Sequence, residues 1–168
     1  MKQIPCQICT SRSMGLFCQL SEQDQEMCNK HKTTNLYKAG QILFYEGNRP
    51  FGVYCVFSGK VKLYKTGFNG RLQIVRLGGM GDLLGYRSML SDEPYSATAE
   101  AMEDAMVCFV DKATFFELMR RNTKLAMEMM RKLCRELRSA EDHVVDVAQK
   151  STRERLAGLL LTLKEAYG

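Results

Sequence analysis

The chain has 168 residues, 24 Lys and Arg against 19 Asp and Glu for a formal charge of +5, seven cysteines and no tryptophan. That length can bury a core without disulfide or metal staples. An odd cysteine count with no basic-then-apolar leader predicts reduced thiols in the cytoplasm, and the absence of any apolar run of roughly 20 residues predicts no membrane span.

The basic residues are spread along the chain, so charge alone is weak evidence for a nucleic-acid partner. Eleven methionines, many between Met102 and Met130, point to a helix-rich second half with an adaptable core.

Residues 1–19 form a cysteine segment, "CQICTSRSMGLFC", with Cys6, Cys9 and Cys18 and almost no apolar periodicity. Four readings compete for it: a metal or cluster clip, a redox pair, a disulfide, or thiols without a role. "LSEQDQEMCNKHKT" follows as a short helix, with Ser21 as N-cap and Asp24 in an acidic first turn.

From Asn35 to about Val110 the texture becomes β-rich. Val53, Cys55 and Phe57 alternate with Tyr54 and Val56, and Val61 and Leu63 with Lys60 and Lys62. Turn signals at "AG", "EGN", "SG", "FNG" and "GGMG" recur at short spacing, which favours an antiparallel sandwich or barrel over a parallel sheet.

The period then turns helical. "DKATFFELMRRN" is a short helix, and Asn122 can cap the long one after it. Ala126, Met130, Leu133, Leu137, Ala140, Val144 and Val147 make a heptad seam, narrow enough to suit a helix partner better than a globular core. "STRERLAGLLLTLKEAYG" opens with a capping box, Ser151 and Glu154, and carries Leu156, Leu159, Leu160 and Leu163 on one face. That face is expected to pack against something outside this chain.

Together these runs resemble the Crp/Fnr family of bacterial transcription regulators over nearly the whole chain. "YKAGQILFYEGN" with "GVYCVFSGKVKLYKTGFNGRLQIVRL" looks like the first half of the family's β-roll, and "GGMGDLLGYRSMLSDEPYSATAEAMEDAMVCFV" like its ligand cassette. Gly40, Gly47, Gly59, Gly70, Gly81 and Gly85 stand where such a roll turns sharply. The resemblance implies an α+β fold: an antiparallel double-stranded β-helix, jelly-roll-like, followed by a long dimerisation helix and a short C-terminal helix. It divides the chain into the segment 1–19, an effector domain 20–121, a dimerisation helix 122–148, and residues 151–168 as the first helix of a truncated helix-turn-helix domain.

The effector place implied by the resemblance comprises Gly81, Asp82, Gly85, Tyr86, Arg87, Tyr95, Ser96 and Ala97. Cyclic-nucleotide binders of the family have a Glu where this chain has Tyr86 and an Arg where it has Tyr95. Without the guanidinium a phosphate loses its bidentate, charge-assisted hold, so cyclic AMP is not expected. A different small effector, or a pocket filled by the two tyrosines, remain as readings of that place. The family's oxygen-sensing branch holds an iron–sulfur cluster on three N-terminal cysteines and one at the end of the roll, which maps to Cys6, Cys9, Cys18 and Cys108. The eight residues between Cys9 and Cys18 are more than that branch places there. Zinc ranks below iron–sulfur for the same ligands. Redox sensing by the Cys6 and Cys9 pair ranks lower, because Lys2 is the nearest charge in sequence. Cys28, Cys55 and Cys134 read as small buried hydrophobes.

The function implied is the sensor and dimerisation region of a DNA-binding regulator. It forms a homodimer through the long helix, binds DNA through a C-terminal domain absent from this chain, and by resemblance contacts RNA polymerase. The alternative is a truncated member that dimerises without reading DNA. No enzyme is expected, since His31 and His143 lack any triad, paired-carboxylate or P-loop context.

Overall fold

The computed structural model describes Pro5, Cys6, Cys9 and residues 15–167, excluding the side chains of residues 18, 19 and 165–167. The ligand expected at Cys18 therefore lies outside the described side chains. The chain forms two compact units, Met1–Ala126 and Met127–Gly168.

In the first unit a 3-10 turn, Leu16–Gln19, leads into α1, Glu22–His31. Ser21 caps it, its hydroxyl accepting from the Asp24 amide at 3.2 Å. Glu22 and Asp24 in the first turn and Lys30 and His31 in the last both favour the helix dipole. The sequence reading carries this helix through Thr33. In the structure it stops at His31, and Lys32 already opens β1, Lys32–Tyr37. The β-branched Thr33 and Thr34 pair with Phe109 and Cys108, so strand pairing overrides the local helical pattern.

The remaining strands are β2 Ile42–Phe44, β3 Gly52–Ser58, β4 Val61–Thr66, β5 Leu72–Gly78, β6 Leu83–Leu84, β7 Thr98–Ala101 and β8 Ala105–Asp111. They form two four-stranded sheets, ordered β1-β8-β3-β6 and β2-β7-β4-β5, with every pairing antiparallel. This is the expected double-stranded roll. Its interior holds Phe44, Val56, Val61, Leu63, Leu84 and Tyr95, with the small Ala97, Ala99, Ala101 and Ala105 where the sheets close on one another.

A short helix, α2 Tyr86–Ser91, interrupts the run read as continuously β-rich. Gly85 at φ +79° and Asp92 at φ 55° bend the chain into and out of it. Both are left-handed, and six residues are too few for a helical period to show in the sequence.

β4 alternates as predicted, Val61 and Leu63 inward. On β3 and β8 both faces are used. Val56 and Val107 join the interior, while Val53, Cys55, Cys108 and Val110 lie on the opposite face. There α1 and α3, Lys112–Arg121, pack on the strands, so this sheet is not solvated on its outer side. Asp111 caps α3, accepting from the Thr114 amide at 2.9 Å and its hydroxyl at 2.7 Å.

The helix α4 spans Thr123–Gln149. Asn122 caps it as expected, Oδ1 accepting from the Leu125 amide at 3.0 Å, and its amide donates to Asp24 of α1 at 3.2 Å.

Within the second unit Leu133 is half-buried, and Met130, Leu137, Ala140, Val144 and Val147 are exposed, Leu137 at 62% and Val144 at 68%. Ala126, half-buried, falls in the first unit. The helix α5, Thr152–Tyr167, begins with the predicted capping box: Glu154 accepts from the Ser151 amide at 2.8 Å and its hydroxyl at 2.7 Å. Among the described residues no helix is long and apolar enough to cross a membrane.

Gly59 (φ +85°) and Gly70 (φ +73°) are both left-handed, but a Cβ on Gly59 meets Ala105 Cα at 2.6 Å whereas Gly70 has nothing within 4 Å. Gly70→Ala should cost the backbone term alone, about 1–2 kcal/mol. Gly59→Ala should cost clearly more. Equal urea midpoints for the two variants would contradict the close approach of strands β3 and β8 at this turn.

Candidate functional site

The strand β8 lies between β1 and β3, with Cys108 opposite Thr34 on one side and opposite Cys55 on the other. Residues directly opposite in adjacent strands share a face. The Thr34 hydroxyl and the Cys108 sulfur are 3.5 Å apart. Two residues before Thr34, Lys32 lies on the same face and is only 3% exposed.

The Lys32 ammonium donates to the Cys6 sulfur at 3.1 Å. The Cys6 amide donates to Asn29 Oδ1 at 2.8 Å, which docks the segment on the last turn of α1. Cys9 folds back on Cys6, its amide donating to the Cys6 carbonyl at 3.4 Å. Cys28 is buried on α1, one residue before Asn29, and Cys6 is the largest influence on its thiol. Cys6, docked on α1 and bonded to Lys32, thus stands beside the sheet face that carries Cys55 and Cys108.

The electrostatics follow from that geometry. Cys6, then burial, push the Cys28 thiol far above its ordinary range, with Lys32 opposing. Burial, then the charges of Cys108, Cys9 and Cys6, raise Cys55. Burial raises Cys108 against the pull of Thr34 and Lys32. For Lys32 burial acts downward, but the hydrogen bond to Cys6 and the charges of Cys6, Cys108 and Cys28 outweigh it and leave the ammonium above its usual value. The cation is thus held, and Cys28, Cys55 and Cys108 remain protonated until a stronger positive partner displaces their protons.

Of the four cysteines expected to act together, Cys6 is bonded to Lys32, which shares the sheet face of Cys108, and Cys9 and Cys6 act on the Cys108 thiol electrostatically. Three expectations are corrected. Cys55, expected to be buried, is half-buried opposite Cys108, and Cys134 is exposed. A lysine does stand beside Cys6: Lys32 is 26 residues away in sequence, so no local pattern announces it. Cys28, Cys55, Cys108 and Cys134 are free thiols. In kind, this donor set fits a thiolate-ligated centre with Lys32 as counter-charge. Among the described residues no three Cys, His, Asp or Glu yet stand close enough to share one metal ion.

The cassette residues are arranged differently. Tyr95, 4% exposed, stacks on Phe44 with ring centroids 4.0 Å apart, and its hydroxyl donates to the Gly52 carbonyl at 3.1 Å. Burial, then its neighbour Tyr54, raise its phenol well above the ordinary range. The position of the phosphate-binding arginine is thus occupied by core. Tyr86 is buried at the start of α2, its hydroxyl accepting from Arg76 at 3.4 Å, while Arg76 pairs with Asp82 at 3.6 Å. Asp82 also accepts from the Gly79 amide at 3.0 Å and so shapes the "GGMGD" turn. Arg87 and Ser96 are exposed, Ala97 lies in the core, and Gly85 abuts the Tyr95 ring. Gly81 meets the cysteine segment: a Cβ on Gly15 would lie 2.6 Å from its carbonyl oxygen. Sequence reasoning missed Arg76, which lies on β5, a strand without inward–outward alternation.

Comparisons with known proteins agree with this architecture. Residues 34–122 match the cyclic nucleotide-binding domain. The chain is 31% identical over 148 residues to the cyclic AMP receptor protein of Thermus thermophilus, covering 88% of this chain and 68% of that one. It is 27% identical over 165 residues to the fumarate and nitrate reduction regulatory protein of Escherichia coli, covering 98% and 66%. The crystal structure of the Thermus thermophilus catabolite activator protein superposes with a TM-score of 0.70 at 30% identity, covering 91% of this chain and 72% of that one. The chain spans about two thirds of the length of these curated relatives. With the roll, the glycine turns and the long helix all in matching order, the chain belongs to the Crp/Fnr family of transcription regulators.

Proposed function

We propose that this chain is the sensor and dimerisation region of a DNA-binding regulator whose signal enters at the thiol cluster around Lys32, and that cyclic AMP is not its effector. The reading is carried by the bond from the buried Lys32 ammonium to the Cys6 sulfur, Lys32 lying on the sheet face that also carries Cys108. Cys6, Cys9, Cys18 and Cys108 are the residues that would hold an iron–sulfur cluster, which when bound supplies an oxygen- and redox-labile centre. The chain's own part is to seat Cys6 on Asn29, to hold Cys108 between Thr34 and Cys55, and to set Lys32 against the negative charge of the thiolates. The division at 1–19, 20–121, 122–148 and 151–168 is part of this reading. So are a cytoplasmic location, contact with RNA polymerase, and DNA recognition by a domain outside these residues.

Against cyclic AMP stands Tyr95, whose ring packs on Phe44 where a guanidinium would face the phosphate. Millimolar cyclic AMP should leave the melting temperature unchanged. A rise of several degrees would show binding, since any ligand of the native state stabilises it by mass action.

The self-association reading rests on Met130, Leu137, Val144 and Val147, apolar and exposed along one seam of α4. Met130→Lys with Leu137→Lys should turn a dimer into a monomer in light scattering. A wild-type monomer at micromolar concentration would remove the reading.

The cluster is tested by iron and acid-labile sulfide in protein purified without oxygen. Both should be present and be lost in Cys108→Ala and in Cys9→Ala. Zinc without sulfide would make the cysteines a structural clip, and neither metal would leave the thiols themselves as the sensor.

A further inference from the structure

The cluster reading assigns nothing to Cys28, yet Cys28 directly precedes Asn29, which binds the Cys6 amide, and stands four residues before Lys32, which binds the Cys6 sulfur. It sits in the last turn of α1 and is 2% exposed. Cys6 is held against it from two directions. Its amide is bonded to Asn29, the next residue along α1, at 2.8 Å, and its sulfur receives the Lys32 ammonium at 3.1 Å. Other pairings are less well prepared. Cys55 and Cys108 face each other across strands, but Cys108 is engaged by Thr34, and the described contact of the ammonium is with Cys6.

We propose that Cys6 and Cys28 form a regulatory disulfide when the cluster meets a hydroperoxide, and that the bond withdraws Cys6 from the ligand set. The inference rests on the thiol cluster being the point where the signal enters. The Cys6 sulfur attacks one oxygen of hydrogen peroxide, the O–O bond breaks, and the other oxygen leaves as water with the thiol proton, giving a sulfenic acid. The Cys28 sulfur then attacks the Cys6 sulfur. The S–O bond breaks, the hydroxyl leaves with the Cys28 proton as a second water, and two electrons have passed from the two sulfurs to the peroxide. Lys32 stabilises negative charge on the attacking sulfur of the first step. The product closes a loop from residue 6 to residue 28 that contains Cys9 and Cys18. Ligation through Cys6 and the disulfide are therefore mutually exclusive states.

The test uses the full chain, reduced and freed of metal by chelation, treated with hydrogen peroxide, alkylated and mapped by peptide mass. The wild type should yield a Cys6–Cys28 cross-linked peptide. Cys28→Ser and Cys28→Ala should instead accumulate a dimedone-trapped sulfenic acid on Cys6, and Lys32→Met should slow bond formation roughly tenfold. Cys28 recovered as a free thiol in oxidised wild type, or Cys6 paired with Cys9 or Cys18 in equal yield, would overturn the proposal. Iron and sulfide measured on protein purified without oxygen keep the two readings apart. Wild type that lacks both yet forms the bond overturns the cluster alone, and wild type that holds both yet never forms the bond overturns this inference alone.

Discussion

One buried ammonium organises the outer face of the first sheet. Lys32 stands where α1 ends and β1 begins, and a charge so nearly withdrawn from water is costly unless something nearby compensates it. Its neighbours are sulfurs: a direct bond to Cys6 and the electrostatic company of Cys28 and Cys108. That need for a partner, with the Asn29 bond, fixes Cys6 on α1.

The same face carries routes away from the site. The cysteine segment touches the cassette turn through Gly15 and Gly81, so a change in the segment bears on the turn that Asp82 and Gly79 hold. The helix α1, which carries Cys28 and Asn29, is tied by Asp24 to Asn122, the residue that caps α4. A change of ligation or oxidation at one end of α1 thus meets, at its other end, the start of the long helix. Such a link transmits a signal only if the reduced or liganded state favours one arrangement of these contacts over the other. The Asp24–Asn122 bond is a specific contact on which that preference can act.

Much of the fold was legible because its signals are local. Alternation marked β4, glycines marked the sharp turns, and Ser21, Asn122 and the Ser151 and Glu154 pair marked helix starts that the structure reproduces. The six-residue α2 was not, since it is set by the left-handed Gly85 and Asp92 rather than by any period. At the candidate site, Cys108 and Tyr95 were singled out only through the family resemblance. Lys32, Cys28 and Cys55 were not. Lys32 bonds to Cys6 across 26 residues, Cys28 stands beside the Asn29 that docks Cys6, and Cys55 is set opposite Cys108 by the register of β3 on β8. No spacing in the sequence encodes a meeting of that kind.

The contact between Lys32 and Cys6 is therefore the point to measure first, by a double-mutant cycle in urea unfolding of reduced, metal-free protein with Lys32→Met, Cys6→Ala and the pair. A hydrogen bond to a charged group should appear as a coupling of about 1.5–3 kcal/mol. Additive single effects, with no coupling beyond about 0.3–0.5 kcal/mol, would mean that the ammonium does not hold Cys6, and the account of a thiol cluster organised by Lys32 would fail.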